Sequence, residues 1–416
     1  MKVLIKQATI FPSQKNISPN DILIENGIIT GIENKLDVDA DTVIERQNLH
    51  VSVGWMDGFA NFCDPGEEYK ETLESGANAA AAGGFTEVMV IPNTIPVVDN
   101  KSQLEYIIQK SKGLPVIIHP ICAITKNAQG KELSEMYDMN ENGAIAFSDG
   151  INSLQSSSIM IKALQYILPF KGVIIQIPED KNIAPHGLMN EGIISTQLGL
   201  PGKPAIAEEL MIAREIELVK YTSSKIHFTG ISTKRSVELI ANAKSQGLQV
   251  TCSVTPYHLF FCDEDLFEYD TNLKVNPPLR NKEDMQALRD GIKNATIDYI
   301  ASHHQPQEWD SKTSEFEYAK NGMIGLESVF GVAGIAGIKI DDFIKMQTEN
   351  IRKIFHVSLP QIITGAPANL TLFDPDHEYI FTKDDIRSKS ANSPFIGKKM
   401  KGKPLGIING DKIFLA

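Results

Sequence analysis

Thiols are scarce in this chain: 416 residues hold four cysteines, Cys63, Cys122, Cys252 and Cys262, and no two form a CxxC pair. A disulfide-stapled scaffold and a thiolate metal site are set aside, and four buried reduced thiols in a reducing cytosol are expected. Long apolar runs are also missing, with no window near the roughly 18 residues a membrane helix requires. The segment MKVLIKQATIF alternates polar and apolar residues, whereas an export signal joins a basic segment to an unbroken apolar one. A soluble, cytoplasmic protein is the expectation. Basic charge is in the minority, 40 Lys and Arg against 52 Asp and Glu, and the net charge of −12 repels phosphate backbones and anionic lipid. Neither nucleic acid nor a membrane is expected as a partner, and the one lysine-rich run, Lys398 to Lys403, reads as a solvated loop. Tandem repeats and low-complexity segments are absent. A chain that is 42% hydrophobic and 22% charged, with ordinary glycine and proline, is a large globular protein, not a disordered or collagen-like one.

Alternating patterns open and close the sequence. Val3-Leu4-Ile5 and Ala8-Thr9-Ile10 read as a pair of strand segments, and Asp21 to Glu25 faces Ile28 to Ile32 across Asn26-Gly27, a dipeptide that tolerates the positive φ of a tight hairpin turn. Asn369 to Phe373 and Gly406 to Leu415, with its own Asn409-Gly410, read the same way. Residues 1–52 together with 365–416 are therefore expected to form one discontinuous β-sandwich domain. Over 53–364, eight short apolar runs alternate with stretches of helical period. The runs are Trp55 to Phe59, Thr86 to Ile91, Pro115 to Cys122, Ala144 to Phe147, Val173 to Ile177, Ile226 to Gly230, Gln249 to Val254 and Ile297 to Ala301. Helical candidates between them include Thr72 to Ala82, Leu104 to Lys112, Leu154 to Leu168, Ala207 to Lys220, Val237 to Ser245 and Glu283 to Asn294. Parallel strands need long crossovers, so this alternation predicts an α/β fold with a closed (β/α)8 barrel.

Reacting groups in such barrels lie at the C-terminal ends of the strands. The first end reads Asp57-Gly58-Phe59-Ala60-Asn61-Phe62-Cys63-Asp64-Pro65-Gly66. There follow Lys70-Glu71-Thr72, Ser75-Gly76, Gly83-Gly84-Phe85-Thr86 and Pro92-Asn93-Thr94-Ile95-Pro96. Farther on stand Phe147-Ser148-Asp149-Gly150, Glu179-Asp180, Met189-Asn190-Glu191-Gly192, Thr255-Pro256-Tyr257-His258, Asn276-Pro277-Pro278-Leu279-Arg280 and Gly325-Leu326-Glu327. In this order the motifs closely resemble those of the amidohydrolase superfamily and, within it, the dihydroorotases of multifunctional-complex type, over nearly the whole chain. Glycine-rich Ala82-Gly83-Gly84 lacks the context of a phosphate loop and reads as the end of a helix.

Resemblance implies one or two zinc ions held by an HxH pair, a bridging carboxylate, two later histidines and an aspartate at the eighth strand that also acts as acid and base. The chain departs from that set. Phe59 and Asn61 occupy the HxH positions, Ile177 and Gly230 the later histidine positions, and His303 the aspartate position. Asp149 alone keeps a ligating group. Zinc needs three or four donors, which a phenylalanine, an isoleucine, a glycine and one amide do not supply, so no cofactor is expected. Without the metal, the attacking water keeps a pKa near 15.7 instead of about 7, which makes hydroxide about 12 kcal/mol harder to generate. The arginine that relatives aim at the substrate carboxylate is replaced by Cys63. Asn93 and Asn276 remain as vestigial substrate contacts, each equally readable as a loop cap.

An improvised centre would draw on Asp57, Cys63, Asp64, Asp149 and one of His303 and His304, since strand neighbours point to opposite faces and at most one looks into the mouth. His50, His119, His186, His227, His258, His356 and His377 show no ligand spacing and read as hydrogen-bonded structural histidines. Two expectations follow. The leading one is a non-catalytic dihydroorotase-like protein of pyrimidine biosynthesis, a structural or regulatory partner of aspartate transcarbamoylase, as the resemblance to inactive bacterial relatives implies, and itself a homo-oligomer. The competing one is an active dihydroorotase or related cyclic amidohydrolase with an unconventional site; a small-molecule sensor using the vestigial pocket is a third.

Overall fold

The computed structural model describes residues 1–11 and 19–416. Eight parallel strands form the barrel in sequence order: Trp55–Ala60, Phe85–Val90, Ile117–Cys122, Ala146–Phe147, Ile174–Gln176, Ile226–Thr229, Val250–Val254 and Tyr299–Ile300. Closure comes just beyond the last strand, where Ala60 bridges His304 and the Asn61 amide donates to the His304 carbonyl at 2.8 Å. The first strand is buried along its whole length, as strands covered on both faces must be.

The helices begin where local chemistry starts them. Thr72 caps Leu73–Ala82 by accepting from the Ser75 amide, and Ser75 returns the bond. That helix can lie close to the barrel because its inner face is small. A Cβ on Gly76 would stand 2.5 Å from the Phe62 ring. Asn100, Ser156, Thr233 and Asn281 cap the helices Lys101–Lys110, Ser157–Tyr166, Lys234–Ser245 and Lys282–Lys293 in the same way.

Strands from both ends of the chain form a second, separate sheet, with Lys2–Phe11 and His50–Val53 at its centre and Asn369–Ile380, Lys399–Asn409 and Lys412–Leu415 on one side. The Asn26-Gly27 turn abuts the Gly410-Asp411 turn, which follows Asn409 at the end of its strand. Gly27 has φ +80°, and a Cβ there would meet the Gly410 carbonyl carbon at 2.8 Å, so both backbone conformation and space require glycine. Between sheet and barrel sits Trp55, with Phe330, Phe343 and Phe373 at ring-centroid distances of 4.8, 5.0 and 5.4 Å.

Three expectations are corrected. Val3 to Ile5 and Ala8 to Ile10 are one strand, not a pair, interrupted by an irregularity at Gln7, whose φ is +51° and whose amide donates to Asp21 at 2.8 Å. The lysine run is not a loop. Lys399 to Lys403 pair with Asn369–Ile380, because the KMKGK alternation buries Met400 and Gly402 and turns the lysines outward. The eighth strand stops at Ile300, ahead of the histidine pair, and His303 has φ +44°. Alternation no longer applies there, and both His303 and His304 line the barrel mouth.

Candidate functional site

Phe59, Asn61, Ile177, Asn276, His303 and His304 converge at the C-terminal mouth of the barrel around a cavity of about 20 Å³. That is room for about one water molecule. His303 forms one wall of the mouth. Its ring stacks on Phe59, with centroids 4.6 Å apart and planes at 28°, and its Nε2 lies 2.7 Å from Thr229 Oγ1. Gly230, at φ +70°, makes this possible: a Cβ there would lie 2.7 Å from His303 Cε1. Burial lowers the imidazole pKa to about 3, helped by nearby His258, so His303 is neutral across the physiological range.

The Thr229 hydroxyl accepts from Ser253 Oγ at 2.9 Å, and Ser253 and Thr251 meet the two nitrogens of His227 at 3.0 and 2.9 Å. His227 lies flat on Tyr299 at 4.9 Å. Thr229, Ser253, Thr251 and His227 are thus paired with one another, as buried polar groups usually are, while the Tyr299 hydroxyl finds no partner among the described residues. Sequence reading placed His227 among the structural histidines but missed this ladder. Its signal was available: hydroxyl or imidazole residues at 227, 229, 251 and 253 share one strand face in the period-two pattern.

The remaining positions are held by the scaffold. Asp149 accepts from the Thr125 amide and hydroxyl at 2.9 and 2.6 Å, and burial pushes its pKa up to about 6 against those bonds. Asn93 donates to the Asp149 carbonyl at 3.1 Å and accepts from the Ile151 amide at 3.0 Å. Its Oδ1 would lie 1.6 Å from a Cβ on Gly150, so it clamps the Asp149-Gly150 turn, and it is not among the residues lining the cavity. Asn276 does reach the mouth, but its amide is engaged on both sides, by Lys203 Nζ at 2.7 Å and Glu179 Oε2 at 2.9 Å. Asn61 accepts from the Cys63 amide. Burial pushes the Cys63 thiol up to about 12. Asp57 is spent on Ser302, and Asp64 on Lys110 and the Leu73 amide. The improvised centre is not assembled: among the described residues no three His, Cys, Asp or Glu side chains converge as metal donors.

These residues do not fit zinc. Three of the inherited positions carry no donor atom, Asn61 is a weak neutral oxygen already bonded, and the two groups with real affinity are turned to Thr229 and Thr125. Behind the mouth, buried Glu71 receives the Lys389 amide at 3.0 Å and the hydroxyls of Ser75 and Ser388, and lies 3.3 Å from His304 Nε2. Sequence reading took Lys70-Glu71-Thr72 as a motif only; Glu71 ties the C-terminal segment to the barrel mouth.

A profile of the Dihydro-orotase-like family matches residues 51–236. The chain is 37% identical over 413 residues to a dihydroorotase of Syntrophus aciditrophicus, covering 97% of this chain and 96% of that one. It belongs to the dihydroorotase family. A dihydroorotase of Acetivibrio thermocellus is 40% identical over 400 residues, with 94% of each chain covered. Among solved structures, L-hydantoinase (dihydropyrimidinase) from Arthrobacter aurescens superposes with a TM-score of 0.83 over 99% of this chain and 95% of that one. At 21% identity that likeness speaks for the fold: an amidohydrolase barrel with a smaller β domain built from both termini.

Proposed function

We propose that this dihydroorotase-family protein does not hydrolyse dihydroorotate and serves pyrimidine biosynthesis as a structural or regulatory partner of aspartate transcarbamoylase. One observation carries the loss of catalysis: the His303 ring, stacked on Phe59 and bonded to Thr229, occupies the mouth. Space for about one water remains where a cyclic substrate and a metal would have to sit. The guanidinium fork for the substrate carboxylate is replaced by buried, protonated Cys63. Support for the partner comes from the resemblance to inactive dihydroorotase-like chains and from retention of a whole scaffold without its reacting groups. Association of several copies of this chain belongs to the same reading.

The test has two arms. Purified protein is assayed for zinc by elemental analysis and for interconversion of dihydroorotate and carbamoyl aspartate, with sub-stoichiometric metal and no turnover expected. Gel filtration with the same organism's transcarbamoylase at micromolar concentration then reads association, and two independently eluting species would defeat the partnership. A second reading, an active cyclic amidohydrolase, is favoured by 37–40% identity to dihydroorotases along almost the full chain. Chelator-sensitive turnover would establish it.

A further inference from the structure

Away from the mouth lies a larger cavity of about 210 Å³, between the end of the first barrel helix at Ala82 and the C-terminal strands. A water needs roughly 10–15 Å³ of such space, so this one admits a molecule of several heavy atoms. Its lining is ionic: Glu327, Asp384, Asp385, Arg387 and Lys403, with Tyr379 beside them. The two cations are already committed. Lys403 is 2.9 Å from Asp385 and lies 4.7 Å from the centre of the Tyr379 ring. Arg387 folds back on its own loop, donating to the carbonyls of Asp384 and Ile386.

Among the described residues the two remaining carboxylates have no cation in ion-pair range. Asp384 is exposed and forms no ion pair there. Glu327, 5% exposed, lines the cavity and accepts at Oε1 from the amides of Arg387 at 3.1 Å and Ser388 at 3.0 Å, while Oε2 has no hydrogen-bond partner among the described residues. A buried carboxylate that keeps a free oxygen in a water-accessible space is an acceptor waiting for a donor. We propose that this cavity binds a small organic cation, a primary amine or guanidinium compound, held between Glu327 and Asp384. Its occupant would lie beside the tether that joins the C-terminal segment to the barrel, because Ser388, held by Glu327, also reaches Glu71.

Isothermal titration of the full chain with agmatine tests this, with succinate at matched ionic strength as a probe of similar size and opposite charge. Saturable binding of one agmatine per chain is expected, with no binding of succinate. Asp384→Asn should weaken agmatine by about tenfold, the loss of one charge-assisted contact. Because Asp384 is exposed, that variant should keep the wild-type unfolding midpoint. Glu327→Gln keeps an acceptor for the 387–388 amides and should weaken binding at least as much. Absence of saturable agmatine binding, equal affinity in both variants and wild type, or preference for succinate would each overturn the proposal.

Discussion

His303 and Gly230 depend on each other. Adding a methyl in Gly230→Ala forces it to within 2.7 Å of His303 Cε1 and places alanine at φ +70°. A loss of about 2–5 kcal/mol by urea unfolding is expected, overpacking and left-handed strain together. In a His303→Ala background the clash is gone, and the cost should shrink to the backbone strain alone, about 1–2 kcal/mol. Titration gives a second handle. The pKa of His303 falls from 6.5 to about 3 on folding, so the unfolded chain holds more protons there and stability is lost as pH falls from 6.5 toward 3. Asp149 works the other way: raised from 3.8 to about 6, it favours folding at low pH, and that contribution is lost as pH rises through the same window. Each can contribute a slope of at most about 1.4 kcal/mol per pH unit, and between about pH 4 and 6 they oppose. Unfolding free energies at pH 4.5 and 5.5 should rise more steeply with pH in Asp149→Asn than in wild type, and less steeply in His303→Gln. Identical slopes in all three proteins would contradict the assignment.

At the scale of elements, the base of the barrel is pinned by one buried cluster. Arg352, 1% exposed, donates to Glu87 and to the Gly54 carbonyl, both at 2.7 Å, while His119 meets Glu87 at 2.8 Å. Burial works to raise Glu87, but His119 and Arg352 hold it down at about 2. Arg352→Ala leaves that carboxylate buried with half its partners and should cost about 3–5 kcal/mol in denaturant unfolding. The same deletion should leave the geometry of the distant mouth intact. At the other end, Gly27→Ala meets both a positive φ and the Gly410 backbone. It should lower stability by more than about 1 kcal/mol, whereas the same change at Gly113, with φ +87° and open space around it, should bring backbone strain alone.

For the whole molecule, a resident zinc would add to stability by mass action, about 4 kcal/mol at a thousandfold excess over its Kd. Treatment with EDTA is therefore expected to leave the thermal midpoint unchanged, and a downward shift reversed by added zinc would show that the chain holds a metal after all. The four cysteines, buried and unpaired, add no redox dependence to this measurement.

Much of this was legible from the residues. Eight apolar runs separated by amphipathic ones required a barrel, because parallel strands need crossovers and crossovers need a helical period. Asn26-Gly27 marked its hairpin because few other dipeptides accept two positive φ values, whereas Asn409 ends its strand opposite Lys412 and only Gly410 of the second pair takes a positive φ. The lack of donor atoms in Phe59, Ile177 and Gly230 was equally plain, since phenylalanine, isoleucine and glycine carry none wherever they are placed. What stands in the vacated space was not legible. That His303 lies on Phe59, that Gly230 leaves room for it, and that Asn93 braces a turn instead of facing the mouth depend on side chains brought together from segments as far apart in the chain as Phe59 and His303. The KMKGK run misled for a related reason: charge predicts exposure, but only the partner strand decides whether exposed lysines belong to a loop or to one face of a sheet. Local pattern therefore determined which elements form and which side chains at the strand ends carry donor atoms, while tertiary packing alone decided how those side chains fit together in the barrel mouth, because steric fit depends on distances that sequence spacing does not contain.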